Sequence, residues 1–422
     1  MGSCFHITAF MMKQDEIIPH LFRTEFRKIT AVLCKLFGIE YIGLAEDIAS
    51  ETFLRALETW PYQGIPENPV AWLYAVAKNK ARNLIIRDRL FREKIATDLK
   101  ITEDQTTAIR IDLSEQNITD SQLQMLFAIC HPSIPAEAQV GLALRILCGF
   151  GIEEIANAFL SNKETINKRL FRAKEKLRAE KVPVALPPVT VLNDRMETVL
   201  TTLYLLFNEG YYSESNNNIL RRELCDEAMR LVLLLLEHKQ TNIPAVNALY
   251  ALMCFHASRF DARINALGEM VLYDEQDEEC WNQLLINQGI FYLNQAAVGK
   301  NYTRYHLEAA IAYWHTIKAD TAEKWENILQ LYNQLLQIAY SPVTALNRTY
   351  ALSRSYGKQL AIREAEKLQL NNNRYYQALL GELYTGIDNT KAAECFQTAI
   401  SLAKTNADKS ILQKKYDKLK SV

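Results

Sequence analysis

Glycine and proline are scarce in this chain, at 14 and 11 of 422 residues. So few turn formers exclude a sandwich, a barrel or a doubly wound sheet and leave helices joined by short loops. Long apolar runs are missing too. The longest aliphatic run, residues 231–236, is six residues between Arg230 and Glu237, far short of the roughly 20 needed to cross a bilayer. The first ten residues have no positive charge ahead of their apolar positions and no cleavage site, so they do not read as a secretory signal. His6 stands where myristoylation at Gly2 needs Ser or Thr, and Met11 and Met12 offer later starts. The eight cysteines include no CxxC, and there is no HExxH, GxSxG or glycine-rich phosphate loop. Cys130–His131 is a two-residue ligand pair with no second pair to complete a metal site. These absences predict a cytoplasmic chain with reduced thiols, no cofactor and no catalytic constellation.

What is present is helix, in three blocks. Residues 13–94 end in a basic stretch. Residues 95–118 hold too few large apolar side chains to pack and read as a linker. Residues 119–182 close on a second basic helix, which the prolines at 183, 187 and 188 terminate. Residues 189–422 are again helical. Charge balances overall, with 48 Lys+Arg against 49 Asp+Glu. Residues 1–186 carry 24 basic and 23 acidic side chains, yet 78–92 hold six bases to one acid and 163–181 hold eight to three. A neutral protein with two basic helices binds nucleic acid weakly by itself, because phosphate neutralisation supplies most non-specific affinity.

The second basic helix has a defined start. Residues 151–158 predict a short helix with Ile152, Ile155 and Ala156 inward. A turn follows, and Ser161 with Glu164 three residues on reads as a capping box. Ile166, Leu170, Ala173 and Leu177 then recur as one buried stripe, leaving Lys163, Asn167, Lys168, Arg169, Arg172, Lys174 and Lys176 outside. Short helix, turn and basic amphipathic helix make a helix-turn-helix, whose second helix fits the major groove. A solvated surface helix has the same periodicity.

The first basic helix opens at Asn68–Pro69, a cap followed by proline at the first helical position. Val70, Leu73, Ala77, Ala81 and Leu84 form its inner stripe; Lys78, Arg82 and Arg89 lie outside, near Trp72, Asn79 and Asn83. Residues 61–67, with Gln63 among them, read as a Pro/Gly loop. Cations beside an aromatic and amides suit single-stranded or melted DNA, although a structural tryptophan on a surface helix fits as well. Upstream, residues 44–60 predict a helix with Ala49, Phe53, Ala56, Leu57 and Trp60 buried. Its outer face, with Glu46, Asp47, Glu51, Leu54 and Arg55, is acidic and suits a protein partner better than DNA.

Residues 44–58 (LAEDIASETFLRALE) and 68–82 (NPVAWLYAVAKNKAR) resemble region two of an extracytoplasmic-function sigma factor of bacterial RNA polymerase. Residues 136–145 (AEAQVGLALR), followed by the helix-turn-helix, resemble region four of the same family. The match departs at Ser50, often glutamine in the family, and at Asn83, commonly an acid. The resemblance implies that Asp47, Glu51, Leu54 and Arg55 bind core RNA polymerase. It implies that Gln63, Trp72, Lys78, Asn79, Arg82 and Asn83 read and melt the minus-ten element of promoter DNA. Lys163, Asn167, Lys168, Arg169 and Arg172 would read the minus-thirty-five element, with bond-making left to the polymerase. The alternative reading is a regulator that binds duplex operators through the helix-turn-helix and senses a ligand or partner through the last block.

That last block shows a spacing of 34 between Leu346 and Leu380 and between Tyr350 and Tyr384. With Gly381, Ala392, Phe396 and Ala399 this approaches the tetratricopeptide pattern of stacked helical hairpins. Residues 203–212, 224–230, 305–312 and 341–348 resemble the C-terminal extension of one class of these sigma factors. Phe207 to Tyr212, with Asn-Glu-Gly at their centre, read equally as a ligand or partner site and as a turn between helices. His306 and Trp314 read as packing. The expected fold is all-α: two small helical domains (13–94 and 119–182), the linker between them, and a helical-repeat extension at 189–422. That extension is expected to touch the sigma regions in cis and to be needed for full activity, with no membrane partner.

Overall fold

A computed structural model describes residues 14–95, 111–211, 218–263, 271, 273–299, 302–403 and 406–420. Arg89 lies in a helix, but its side chain is outside the described set. The fold is all-α, with no strand among the described residues. The chain divides into two compact units, Met1–Thr241 and Asn242–Val422.

The first unit is built on α1 (Gln14–Phe37), whose Phe26, Ile29 and Leu33 are fully buried. It packs against α2 (Ile42–Gln63) and α4 (Glu115–Ile129). Helix α2 buries Ala45, Ala49, Phe53, Ala56 and Trp60. The last four recur at spacings of four, three and four, so Leu57, one residue off that stripe, is turned aside and is half exposed. This corrects its expected burial. The helix also runs through Pro61 to Gln63 and stops at Gly64, φ +81°, so the expected loop shrinks to residues 64–67. Proline is tolerated there because only one hydrogen bond of the last turn is lost. Helix α3 (Pro69–Ile95) starts as the sequence predicts, with the Asn68 side-chain oxygen accepting the Ala71 N–H at 2.9 Å. Its Leu73, Ala77 and Ala81 are fully buried, and Val70 and Leu84 partly so.

Helix α4 begins inside the stretch that composition marks as linker. Ser114 caps it, accepting from the Asn117 N–H at 3.4 Å, while Ile111 and Leu113 are buried just before it. Residues 96–110 are outside the described set. Helix α5 (Ala136–Leu142) continues as a π turn over Ala143–Leu147, then come α6 (Ile152–Ala158) and α7 (Lys163–Ala179). The next two helices, α8 (Val189–Tyr211) and α9 (Asn218–Glu237), belong to the same unit. Arg195 donates to the Phe127 carbonyl at 2.5 Å and Arg230 to the Leu147 carbonyl at 2.6 Å. The Thr202 hydroxyl donates to Gln139 Oε1 at 2.6 Å. Val199, Leu203 and Leu206 of α8 are fully buried. Asn208, Glu209 and Gly210 form the last turn of α8 rather than an interhelical turn. Tyr212 is outside the described residues.

The second unit runs through α10 (Pro244–Ala257), α11 (Gln283–Ala296), α12 (Arg304–Trp314), α13 (Ala322–Ile338), α14 (Pro342–Tyr356), α15 (Lys358–Glu366), α16 (Arg374–Tyr384), α17 (Asn389–Leu402) and α18 (Asn406–Lys420). Neighbours in sequence pack as hairpins. Where α16 meets α17, a Cβ on Gly381 would lie 2.8 Å from the Phe396 ring, so only glycine allows that approach. The residues spaced by 34, Leu346 and Leu380, are both buried in one core with Tyr384. His306 is core: Nδ1 accepts the Thr303 N–H at 3.1 Å, and Nε2 lies 3.2 Å from the Ala296 carbonyl. Trp314 packs at the edge of the same core as Leu346.

The unit boundary makes a testable distinction. A chain ending after Thr241 is expected to keep a cooperative thermal transition by circular dichroism. A chain ending at Leu186 uncovers the partners of Val199, Leu203 and Leu206, each worth about 1.5–3 kcal/mol of burial, and is expected to melt lower and more broadly. Equal melting of α1 to α7 in both would show that α8 and α9 contribute nothing to them.

Candidate functional site

Three surfaces in the first unit carry the sequence-predicted residues. On α2, Asp47, Glu51, Leu54 and Arg55 are all exposed. Glu51 accepts from Lys80 of α3 at 2.7 Å, and Arg55 lies 3.6 Å from Glu58. Leu54 and Leu57 rim a cleft of about 900 Å³ whose wall includes Phe22, Phe53 and Trp60, with the Gly149–Gly151 turn and Glu154 on its other side. Two half-exposed leucines over an aromatic floor, beside acids, suit a protein partner. The sequence pattern missed Leu57 because leucine next to a buried stripe reads as core.

On α3, Asn79, Arg82 and Asn83 are exposed and Lys78 is half-buried. Trp72 is half-buried, edge-on to Trp60 at 5.4 Å between ring centroids. That contact fixes the indole and leaves part of it outside, so the packing and base-contacting readings are compatible. Gln63 is exposed at the end of α2, beside Tyr62, which is 89% exposed and went unremarked in the sequence.

The helix-turn-helix forms as α6 and α7. Glu154 reaches back to the Gly151 N–H at 2.7 Å, and Leu160 takes a positive φ of 47° in the turn. The cap of α7 is Asn162, accepting from the Thr165 N–H at 2.8 Å, and not Ser161. The Ser161 N–H is instead bound to the Ala156 carbonyl at 2.8 Å in closing the turn, which places the first helical residue at Lys163. Ile166, Leu170, Ala173 and Leu177 are the buried residues of α7. Lys163, Asn167, Lys168 and Arg172 are exposed; Arg169 is half-buried over Phe159 and 3.4 Å from Glu137. Lys163 is 2.9 Å from Glu153. Phe171 adds a large exposed ring to this face, visible in the sequence only as a residue off the stripe.

One expected surface charge is not on the surface. Glu46, expected on the outer face of α2, is buried, with Oε1 accepting from Arg145 Nε at 3.1 Å and Oε2 paired with Lys174 of α7. Arg145 also donates to the Phe150 carbonyl at 3.2 Å and lies over the Phe26 ring. The α2 and α7 helices thus share one carboxylate. Arg178 of α7 donates to the Glu40 carbonyl at 3.1 Å, and Arg23 of α1 bridges Glu154 at 2.6 Å and Glu223 at 2.5 Å. Cys130 is buried, its thiol pushed up to about 12 by that burial, and the His131 ring nitrogen lies 2.8 Å from the Ser133 hydroxyl. Neither is set up as a metal ligand.

Residues 21–90 match the family Sigma-70 region 2, and residues 195–297 match a family of unknown function, DUF6596. An uncharacterized protein of Rhizobium meliloti, R00370, is 33% identical over 387 residues, 90% of this chain and 90% of that protein. The ECF RNA polymerase sigma-E factor of Haemophilus influenzae is 26% identical over 33% of this chain and 75% of its own length. The RNA polymerase sigma-H factor of Pseudomonas aeruginosa is 27% identical over 31% of this chain and 69% of its own. No solved structure matches. The chain belongs to the family of the Rhizobium protein and is a sigma factor of the extracytoplasmic-function type, with DUF6596 following its sigma helices. Among the described residues no helix is long and apolar enough to cross a membrane.

The shared carboxylate predicts a stability effect. Glu46→Ala leaves two partly buried cations without their anion, and removing one partner of a buried pair costs several kcal/mol. With both cations about a fifth exposed, a loss of about 2–3 kcal/mol is expected in urea unfolding. Wild-type stability in Glu46→Ala would mean that the bridge is incidental.

Proposed function

We propose that this sigma factor binds core RNA polymerase through the outer face of α2, with Asp47, Glu51 and Arg55 around Leu54 and the adjoining cleft. It contacts the minus-ten element with Gln63, Trp72, Lys78, Asn79, Arg82 and Asn83, and the minus-thirty-five element with Lys163, Asn167, Lys168, Arg169 and Arg172. The observation that carries this reading is that α2, α3 and α7 each keep these side chains at least partly open to solvent while burying a separate apolar stripe. The polymerase makes the bonds; the sigma factor supplies position and strand separation.

The bridge through Glu46 adds a requirement. Elements named minus ten and minus thirty-five lie about 25 base pairs apart, roughly 85 Å along the duplex at 3.4 Å per step. Helices that share one carboxylate cannot span that distance. On this reading the free chain is closed and the promoter-bound form is open, with Arg145 and Lys174 released from Glu46. Helices α8 and α9 act in cis by gripping α4, α5 and the π turn, and the second unit modulates activity from the same chain.

Run-off transcription with core polymerase tests the reading. Promoter-specific initiation supports it; tight duplex binding without polymerase would favour the operator-binding regulator. Asp47→Lys with Glu51→Lys is expected to abolish holoenzyme assembly in a pull-down without lowering the melting temperature, since both residues are exposed. Lys168→Ala and Arg172→Ala are each expected to weaken use of the upstream element and to reduce the salt slope of holoenzyme binding by about one. Unchanged slopes would remove α7 from the DNA.

A further inference from the structure

In the second unit, two buried cations have no anion at ion-pair distance among the described residues. Arg259, just past α10, is 9% exposed, and Lys324 in the first turn of α13 is 1% exposed. Both lie against the Tyr273 ring, at 5.4 and 5.3 Å from its centroid. Lys324 donates to the Tyr273 hydroxyl at 3.1 Å and to the Ile317 carbonyl. Among the described residues no carboxylate reaches either cation at ion-pair distance. The nearby Asp320 is committed to the Trp325 indole N–H and to Arg354, and Asp274 is exposed.

Among the described residues, Arg259 Nε and Trp281 Nε1 beside this ring have no hydrogen-bond partner, nor has Oε1 of Gln276, whose backbone N–H is bound to the Tyr273 carbonyl at 3.2 Å. Trp281 stacks near Tyr273 at 6.3 Å, and His315 meets it edge-on at 5.3 Å. Burial, with Arg259 and Lys324 nearby, pushes His315 down to about 3, so at neutral pH it adds no charge but keeps one N–H. A buried charge without a counter-ion and a buried polar atom without a partner each carry a large desolvation penalty. Here two such donors lie about one phenol, and the acceptor belongs to a residue bound to the same tyrosine through its backbone.

We propose that this nest binds a small oxyanion that carries its own hydrogen-bond donor, a hydrogen phosphate or a hydroxy-acid carboxylate. The guanidinium fork of Arg259 matches two oxygens of either group. The Trp281 N–H supplies a third donor, and Gln276 Oε1 accepts the ligand's own O–H. Lys324, two of whose three donors are used, neutralises charge from across the ring. The inference does not depend on the sigma reading.

The test is thermal unfolding of the full chain by scanning calorimetry in chloride, sulfate, inorganic phosphate and glycolate at matched ionic strength. Sulfate controls for general salting-out, which raises melting temperatures without a site. Phosphate or glycolate, and which of the two identifies the source, is expected to raise the transition of the second unit beyond sulfate, saturably. Arg259→Met is expected to abolish that increment and, by removing an uncompensated charge, to melt no lower than wild type in chloride. Trp281→Phe keeps the ring and is expected to raise the half-saturating concentration about tenfold. Two results would each overturn the proposal: no increment over sulfate, or an Arg259→Met variant that keeps the increment.

Discussion

A single carboxylate decides the arrangement of the first unit. Glu46 is drawn inside by Arg145 and Lys174, from the π turn and from α7. Because its two oxygens serve different elements, α7 and the π turn are both held against α2. A buried ion pair is a weak source of net stability, since desolvating three charges nearly cancels their attraction. It is a strong source of position, since no other arrangement of those charges is tolerated while they stay buried. It is also a contact that water can take apart. The charges are fully solvated once separated, which an apolar interface of the same size could not offer.

The grip of α8 and α9 is different in kind. Val199, Leu203 and Leu206 are apolar and wholly buried, and the polar contacts around them end on backbone carbonyls at Phe127 and Leu147. Separating these surfaces would leave leucines in water. The first unit therefore combines a charged contact between α2 and α7 with an apolar one at α8 and α9. Helix α1 is the strut that both rest on. Its Arg23 and Arg27 reach Glu154, Glu223 and Glu227, and Gly149 comes so close to the Arg23 backbone that a Cβ would lie 2.9 Å from its carbonyl oxygen. A positive φ of 77° at Gly149 makes that turn doubly demanding of glycine.

What could be read from sequence was local. Periodicity found the stripe of α7 to the residue and the core of α3, and the proline after Asn68 marked a true start. Failures follow one pattern. Leu57 and Glu46 have the right character for core and surface respectively, but what they face is set by chain far away in sequence. No 3.6-residue pattern holds information on Arg145 or Lys174 as partners of Glu46. The cap at Asn162 was missed by one residue because Ser161 and Asn162 are both good caps, and the choice depends on where the preceding turn closes. The start of α4 was hidden by a polar stretch whose few apolar residues, Ile111 and Leu113, are the ones that pack. That α8 and α9 fold with the sigma helices, rather than with the array after them, was equally beyond a one-dimensional pattern.

The closed form also sets an affinity. If polymerase and promoter require α2 and α7 apart, the binding-competent state is reduced by the free energy of the Glu46 bridge, and apparent affinity falls by the same factor. Because the net free energy of a buried ion pair is small, that factor is modest, about tenfold for each 1.4 kcal/mol. The near-neutral charge of the chain lowers non-specific DNA binding further, because few phosphates can be neutralised at once. Both effects act on the free protein. On the proposed function, core polymerase meets the exposed face of α2, where Asp47, Glu51 and Leu54 need no opening to be reached. The proposed function then carries an order: polymerase docks first on a surface already available, and α7 separates afterwards, when promoter phosphates compete with one carboxylate for Lys174.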